Sequence, residues 1–123
     1  KRKVTNLTDV SEITCVVQKG MADEIVQSLL DAGIQGATVH SGVGTGIRER
    51  MGLLGVAVEV EREIVQVLVS KDQVDRIFER MYLAGRLDTP GMGYIYAAPL
   101  VQAATYIPAH LLEDKDSLSS LGV

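Results

Sequence analysis

The 123-residue sequence has one cysteine, no tryptophan and one phenylalanine. The lone Cys15 cannot form an internal disulfide, which fits a reducing compartment. Histidine is almost as scarce. With only two, His40 and His110, a zinc site of the usual ligand density is not expected. No apolar run reaches the ~18–20 residues that a membrane-spanning helix needs. Nothing resembles a secretory signal, so the expected location is the cytoplasm. A basic face is missing too. The net charge is −4, and the one basic cluster is Lys1-Arg2-Lys3 at a terminus. That balance excludes nonspecific binding to a nucleic-acid polymer, which requires a row of cations facing the phosphates.

What is present is ordinary for one soluble globular domain. Hydrophobic residues make up 46% and charged residues 23%. A chain of this length buries roughly two-thirds of its unfolded surface, enough for a core without staples.

Two similar patterns follow one another. Ile13-Thr14-Cys15-Val16-Val17 is apolar on both faces and predicts a central strand. Ile25, Val26, Leu29 and Leu30 recur at helical spacing within Met21–Ala32, and Gly33 stands where a helix C-cap glycine belongs. Ala37–His40 predicts a second strand. Val56–Val69 then predicts a strand pair or one long strand. Ser70-Lys71-Asp72-Gln73 matches a capping box ahead of a helix whose apolar stripe is Val74, Ile77, Phe78, Met81 and Tyr82. Gly85 is expected to end that helix as Gly33 ends the first. Tyr94-Ile95-Tyr96 predicts the last main strand. Two consecutive β-α-β units of nearly equal length imply an α+β, ferredoxin-like βαββαβ sandwich. In it two helices cover one face of a four-stranded antiparallel sheet. The organisation expected is a flexible extension over 1–12, the domain over 13–107, and an acidic, serine-rich C-terminal tail over 108–123.

The segment Ser41–Gly52, SGVGTGIRERMG, has glycines at every second position and then two arginines around a glutamate. Glycine-rich loops can cradle phosphate because no side chain blocks their backbone N–H groups. This one lacks the Lys-Ser/Thr ending of a P-loop and the spacing of a dinucleotide fingerprint. A flexible hairpin therefore stays open beside a phosphate loop. Arg48, Arg50 and Arg86 could supply counter-charge or be solvated surface. In the expected topology this loop, the turn at Gln18-Lys19-Gly20 and the connection Gly85–Gly93 share one end of the sheet. The strands carrying the first and last lie at opposite edges, roughly 14 Å apart over three strand spacings. One subunit could not readily close both around a small ligand, whereas two neighbouring subunits could. The geometry favours an oligomer with sites between its subunits.

The run Asp31-Ala32-Gly33-Ile34-Gln35-Gly36-Ala37-Thr38-Val39, the following Gly42-x-Gly44, and Leu83-Ala84-Gly85-Arg86 ahead of a glycine-rich loop resemble the P-II nitrogen regulatory protein superfamily. The resemblance covers about residues 13–107. It implies a homotrimer that binds an adenine nucleotide (ATP, ADP or AMP, with or without Mg) between subunits. It also implies control of a partner protein, a membrane transporter or a metabolic enzyme, through the loop after the second strand. Carried over by position, Gly36 and Thr38 would hold the adenine. Gly42, Gly44 and Thr45 would form the loop base near the nucleotide. Gly85, Arg86, Leu87, Asp88, Gly91 and Gly93 would wrap the phosphates. Gly46, Ile47, Arg48, Glu49, Arg50 and Met51 would contact the partner.

Several positions depart from the family pattern. Pro90-Gly91-Met92-Gly93-Tyr94 stands where the family carries Gly-Asp-Gly-Lys. Thr45 replaces a common arginine, and neutral residues near Thr105 and Ile107 replace a basic pair. All four tyrosines (Tyr82, Tyr94, Tyr96, Tyr106) lie outside the exposed loop, so the family's modification site is missing. Less positive charge implies weaker triphosphate binding or preference for ADP, AMP or another small anion.

Other chemistry finds little support in the residues. His40, with Cys15 or Glu59, could form a base or metal site, but a lone strand-end histidine is more often structural. The alternation in Glu59-Val60-Glu61-Arg62-Glu63 reads as the wet face of an exposed strand. No Ser-His-Asp or Cys-His arrangement is visible. The expectation is a regulator with no catalytic activity and no redox cofactor. Two alternatives remain: a metal-tolerance-like trimer of the same architecture, and a small enzyme using the interface cleft.

Overall fold

The central strand determines the rest of the architecture. The computed structural model describes residues 3–45 and 59–107. In it, β2 runs from Val10 to Gln18 and is paired on both sides. Its residues Ile13, Cys15 and Val17 are fully buried under the helices, as an apolar strand in mid-sheet requires. The other strands are β3 (Thr38–Thr45), β4 (Glu59–Ser70) and β5 (Gly93–Pro99). The sheet order is β3-β4-β2-β5, antiparallel throughout. This is the ferredoxin-like α+β sandwich expected from the sequence. The residues assigned to partner contact (46–51), His110 and the 108–123 tail lie outside the described residues.

Helices α1 (Ala22–Asp31) and α2 (Val74–Ala84) cover one face. Ile25 and Leu29 from α1 and Ile77 and Met81 from α2 meet Val65, Val67 and Val69 of β4 in a single core cluster. Phe78 and Val74 pack at its margin. Gly33 adopts φ +84, and Ile34 N–H donates to Leu29 C=O at 2.9 Å while Gly33 N–H donates to Leu30 C=O at 3.0 Å. This is a Schellman stop with its apolar contact, Ile34 on Leu29, inside the core.

The second helix departs from two expectations. No capping box forms: Ser70 Oγ donates to the Asp72 carboxylate at 2.7 Å, and Gln73 Oε1 accepts from Arg76 at 2.9 and 2.6 Å. Both side chains are engaged forward along the chain, and a 3-10 turn over Lys71–Gln73 precedes the helix. The left-handed residue that ends α2 is Arg86 (φ +56), not Gly85 (φ −81). Arg86 N–H donates to Leu83 C=O and Leu87 N–H to Tyr82 C=O, both at 3.1 Å, so the stop is again of the Schellman type. Gly85 is needed for space. A Cβ there would lie 3.2 Å from Met81 O and 3.3 Å from Ile25 Cδ1.

The N-terminal segment is also more ordered than its polar composition suggests. Val10–Glu12 belongs to β2, and Asn6–Leu7 (β1) pairs with Ala103–Ala104 (β6) as a separate two-stranded ribbon. Gln102 Nε2 donates to Asn6 Oδ1 at 3.1 Å beside it. Val10 is 5% exposed, so its burial anchors the strand start.

Among the described residues no helix covers the second sheet face. Val16, Ile64 and Leu68 are half-buried there, and Tyr94 and Tyr96 stack with ring centroids 6.4 Å apart while remaining 60% and 48% exposed. Cys15, on the helix side, is wholly buried, and desolvation pushes its thiol up to about 11. At pH 8 its alkylation by iodoacetamide is expected only through unfolding. Labelling much faster than amide exchange in β2 would contradict that placement.

Candidate functional site

Three groups of residues gather at the upper end of the sheet, where β2 ends and β5 begins. The first is the turn after β2. Glu63 of β4 lies on the helix side, in register with Ser41, and its Oε1 accepts from Gly20 N–H at 2.6 Å and Ala22 N–H at 3.2 Å. Helix α1 has no side-chain cap of its own, so this carboxylate from another strand satisfies its first N–H, that of Ala22, together with the turn N–H of Gly20. The alternating glutamates are thus not a uniformly wet face. Glu61 fits that reading, being exposed and paired with Lys19 at 2.8 Å. The Lys19 hydrogen bond and charge hold the Glu61 carboxyl below its ordinary range, and the same pair holds Lys19 above its own. The small contribution of Glu61 is lost as pH falls through its folded pKa. That of Lys19 is lost as pH rises through its folded pKa. Replacing Glu63 with alanine should cost about 1–2 kcal/mol, typical of a lost cap, and lower the melting temperature by roughly 3–12 °C. An unchanged melting curve would show that the carboxylate is not holding the turn.

The second group is the loop from Gly85 to Gly93. Gln18 Nε2 donates to Gly91 C=O at 3.0 Å and ties this loop to the end of β2. Thr89 N–H bonds Arg86 C=O at 3.0 Å, and Met92 N–H bonds Thr89 C=O at 3.3 Å. The amides of Asp88 and Gly91 donate to no group among the described residues. Gly91 sits at φ +82 with open space around it, as close backbone approach by a ligand requires. Arg86 extends from its left-handed position into solvent, its nearest carboxylate being Glu24 at 3.8 Å. Three of the assigned residues in this loop have structural work instead. Leu87 packs on the core, Gly85 is buried between the helices, and Gly93 lies against the backbone of β2. A Cβ on Gly93 would collide with the Val16 carbonyl oxygen and sit 3.1 Å from Val17 Cα.

The third group is the upper part of β3. The sequence places Gly42 and Gly44 in a loop, but β3 continues to Thr45, with Gly42 opposite Arg62 and Gly44 opposite Val60. These glycines form a bare stretch of an edge strand. Gly42 has no unusual φ, and a Cβ there would make only ordinary contact with Ile64, at 3.8 Å.

Not all assigned residues come together within one chain. Gly36 (φ +85) and Thr38 lie at the lower start of β3. Four strand steps separate Thr38 from Gly42, roughly 13 Å at the usual rise. β4 and β2 stand between β3 and β5, so the Gly42–Thr45 stretch and the Gly85–Gly93 loop occupy opposite edges. Sequence reasoning missed Gln18 and Glu63. The only available signal for Glu63 was its place in strand parity with Val65. His40 and Cys15 fall on opposite sheet faces. His40 Nε2 is 2.9 Å from Gln66 Oε1, a cross-strand contact. Among the described residues no group of three or more His, Cys, Asp or Glu could hold a metal ion, and no helix is long and apolar enough to cross a membrane.

Comparison with known proteins accords with this geometry. A search of curated proteins gives no match. Among solved structures, the chain is similar to the crystal structure of Arabidopsis thaliana PII bound to citrate. The TM-score is 0.60 and the identity 21%, over 75% of this chain and 78% of that one. At that identity the likeness carries the fold. The family model described as nitrogen regulatory protein P-II matches residues 10–108, from the first residue of the central strand to just past Ile107. The chain therefore belongs to the P-II nitrogen regulatory protein family.

Proposed function

We propose that this protein is a cytoplasmic signalling regulator without catalytic activity. In this reading it binds an adenine nucleotide between the subunits of a homotrimer and controls a partner protein through residues 46–51. The observation that carries it is the split site. The bare glycine edge of β3 and the Gly85–Gly93 loop, whose Asp88 and Gly91 amides donate to no group among the described residues, are on opposite edges of one sheet. A second copy laid edge to edge would bring them together. Exposed Tyr94 and Tyr96, beside half-buried Val16 and Ile64, favour an assembly, because an apolar sheet face and sheet edges with no partner among the described residues invite a second copy.

Counter-charge in this end is modest. Arg86 faces no lysine partner in the Pro90–Gly93 segment, and Lys19 already serves Glu61. This supports a ligand with fewer charges than a magnesium-free triphosphate. Since Arabidopsis PII was crystallised with citrate, a small polycarboxylate is the second reading. Calorimetric titration with ATP, ADP, AMP, cyclic AMP and citrate, with and without magnesium, separates these, with light scattering on the same samples. A trimer that binds a nucleotide, and loses it on Gly44→Val or Gly91→Val, supports the proposal. A trimer that binds none of the nucleotides refutes it, and turnover of a bound nucleotide refutes the non-enzymatic reading.

A further inference from the structure

A cavity of about 790 Å³ lies at the opposite, lower end of the sheet. It is an open groove lined by the β1–β6 ribbon, the end of β5 and the start of α2. Its volume is within the range of small-molecule sites, which are mostly apolar with a few placed polar groups. Leu7, Val74, Ala97 and Leu100 supply apolar wall. Two charged residues line it, Asp9 and Lys71, one of each sign. Their backbones are joined, Lys71 N–H donating to Asp9 C=O at 2.7 Å, and both residues are exposed. Asp9 is itself in the left-handed region, at φ +54, a conformation that costs energy for any residue with a Cβ. Strain of this kind beside a cavity is a recurrent mark of a binding site. The wall that includes Asn6–Asp9 also lies outside the family match, which begins at residue 10. Of the ribbon, β1 (Asn6–Leu7) lies outside that match, while β6 (Ala103–Ala104) lies within it.

We propose that this cavity is a second ligand site, for a small zwitterion with an apolar body, of the class of aliphatic amino acids. Lys71 is the partner of the carboxylate, Asp9 of the ammonium, and the Leu7–Val74 wall takes the side chain. A single anion would be repelled by Asp9 and a single cation by Lys71, so the paired charges select a net-neutral molecule. The site is independent of the glycine end.

The test is calorimetric titration of the full chain with L-leucine. Leucinamide, which lacks the carboxylate, and 4-methylpentanoate, which lacks the ammonium, serve as controls. Saturable binding of one leucine per chain is expected, weakened at least tenfold for either analogue, since each loses a charge-assisted hydrogen bond. Lys71→Met and Asp9→Asn should weaken leucine by the same factor, and asparagine keeps the tolerance for φ > 0 that position 9 needs. Gly91→Val should leave leucine binding intact, which separates this site from the nucleotide reading. Absence of saturable binding up to the millimolar range overturns the proposal. So does binding that survives both charge substitutions, or equal affinity for leucinamide.

Discussion

Replacing Gly93 with alanine is expected to cost about 4 kcal/mol or more, a large share of the stability of an ordinary domain. Two causes act together. The residue has φ +136, outside the range that a side chain tolerates, and the added Cβ would run into the Val16 carbonyl. Neither can relax cheaply, because Val16 and Val17 are in mid-sheet and Gly93 is in register with Val17. Gly91→Ala is the control. Its φ of +82 carries strain of about 1 kcal/mol, but nothing surrounds the new methyl group. Thermal unfolding of the two variants should differ by roughly 10 °C or more. Similar melting temperatures would show that Gly93 is not held against β2. The comparison also separates two roles that a glycine-rich loop conflates, since only Gly91 is free to serve a ligand without first serving the fold.

Arg86→Gly should have opposite effects on stability and binding. Glycine adopts the left-handed stop at φ +56 without a Cβ penalty, so the variant should gain about 1 kcal/mol and melt roughly 3–6 °C higher. Its affinity for ADP or ATP should fall roughly tenfold to a hundredfold, the worth of a charge-assisted contact to phosphate. A non-glycine residue kept at a position where glycine is better for folding implies a use for its side chain. Higher stability with unchanged nucleotide affinity would remove Arg86 from the site. Lower stability would mean that its packing outweighs its strain.

The architecture was legible because burial and periodicity agree. Ile13, Cys15 and Val17 alternate under the helices, and Ile25–Leu29 and Ile77–Met81 repeat at helical spacing. Boundaries were less so. Val10–Glu12 looked like a polar extension because its pairing partners, Leu68–Ser70 and Ala98–Pro99, are far away in sequence. The capping box failed because Asp72 and Arg76 offered Ser70 and Gln73 nearer partners. The glycines at 42 and 44 looked like a loop because glycine is uncommon in strands, but an edge strand loses only one packed face to them. Glu63 was hidden for a different reason. Its role depends on which face of β4 it occupies, and that is set by strand register, not by its neighbours in sequence.

The pairing of β2 also fixes an order of events during synthesis. Residues 10–18 are made first, yet both their neighbours come later, β4 over Glu59–Ser70 and β5 over Gly93–Pro99. Until Pro99 can align with Ser11, one side of the most apolar strand has its N–H and C=O groups unpaired. Helix α1 and β4 can shelter its face in the interval, but they do not close that edge. A ribosome pausing between Met81 and Gly93 would hold the nascent chain with its central strand open to another chain. The β1–β6 ribbon needs Ala103–Ala104, which are made after the whole of β5.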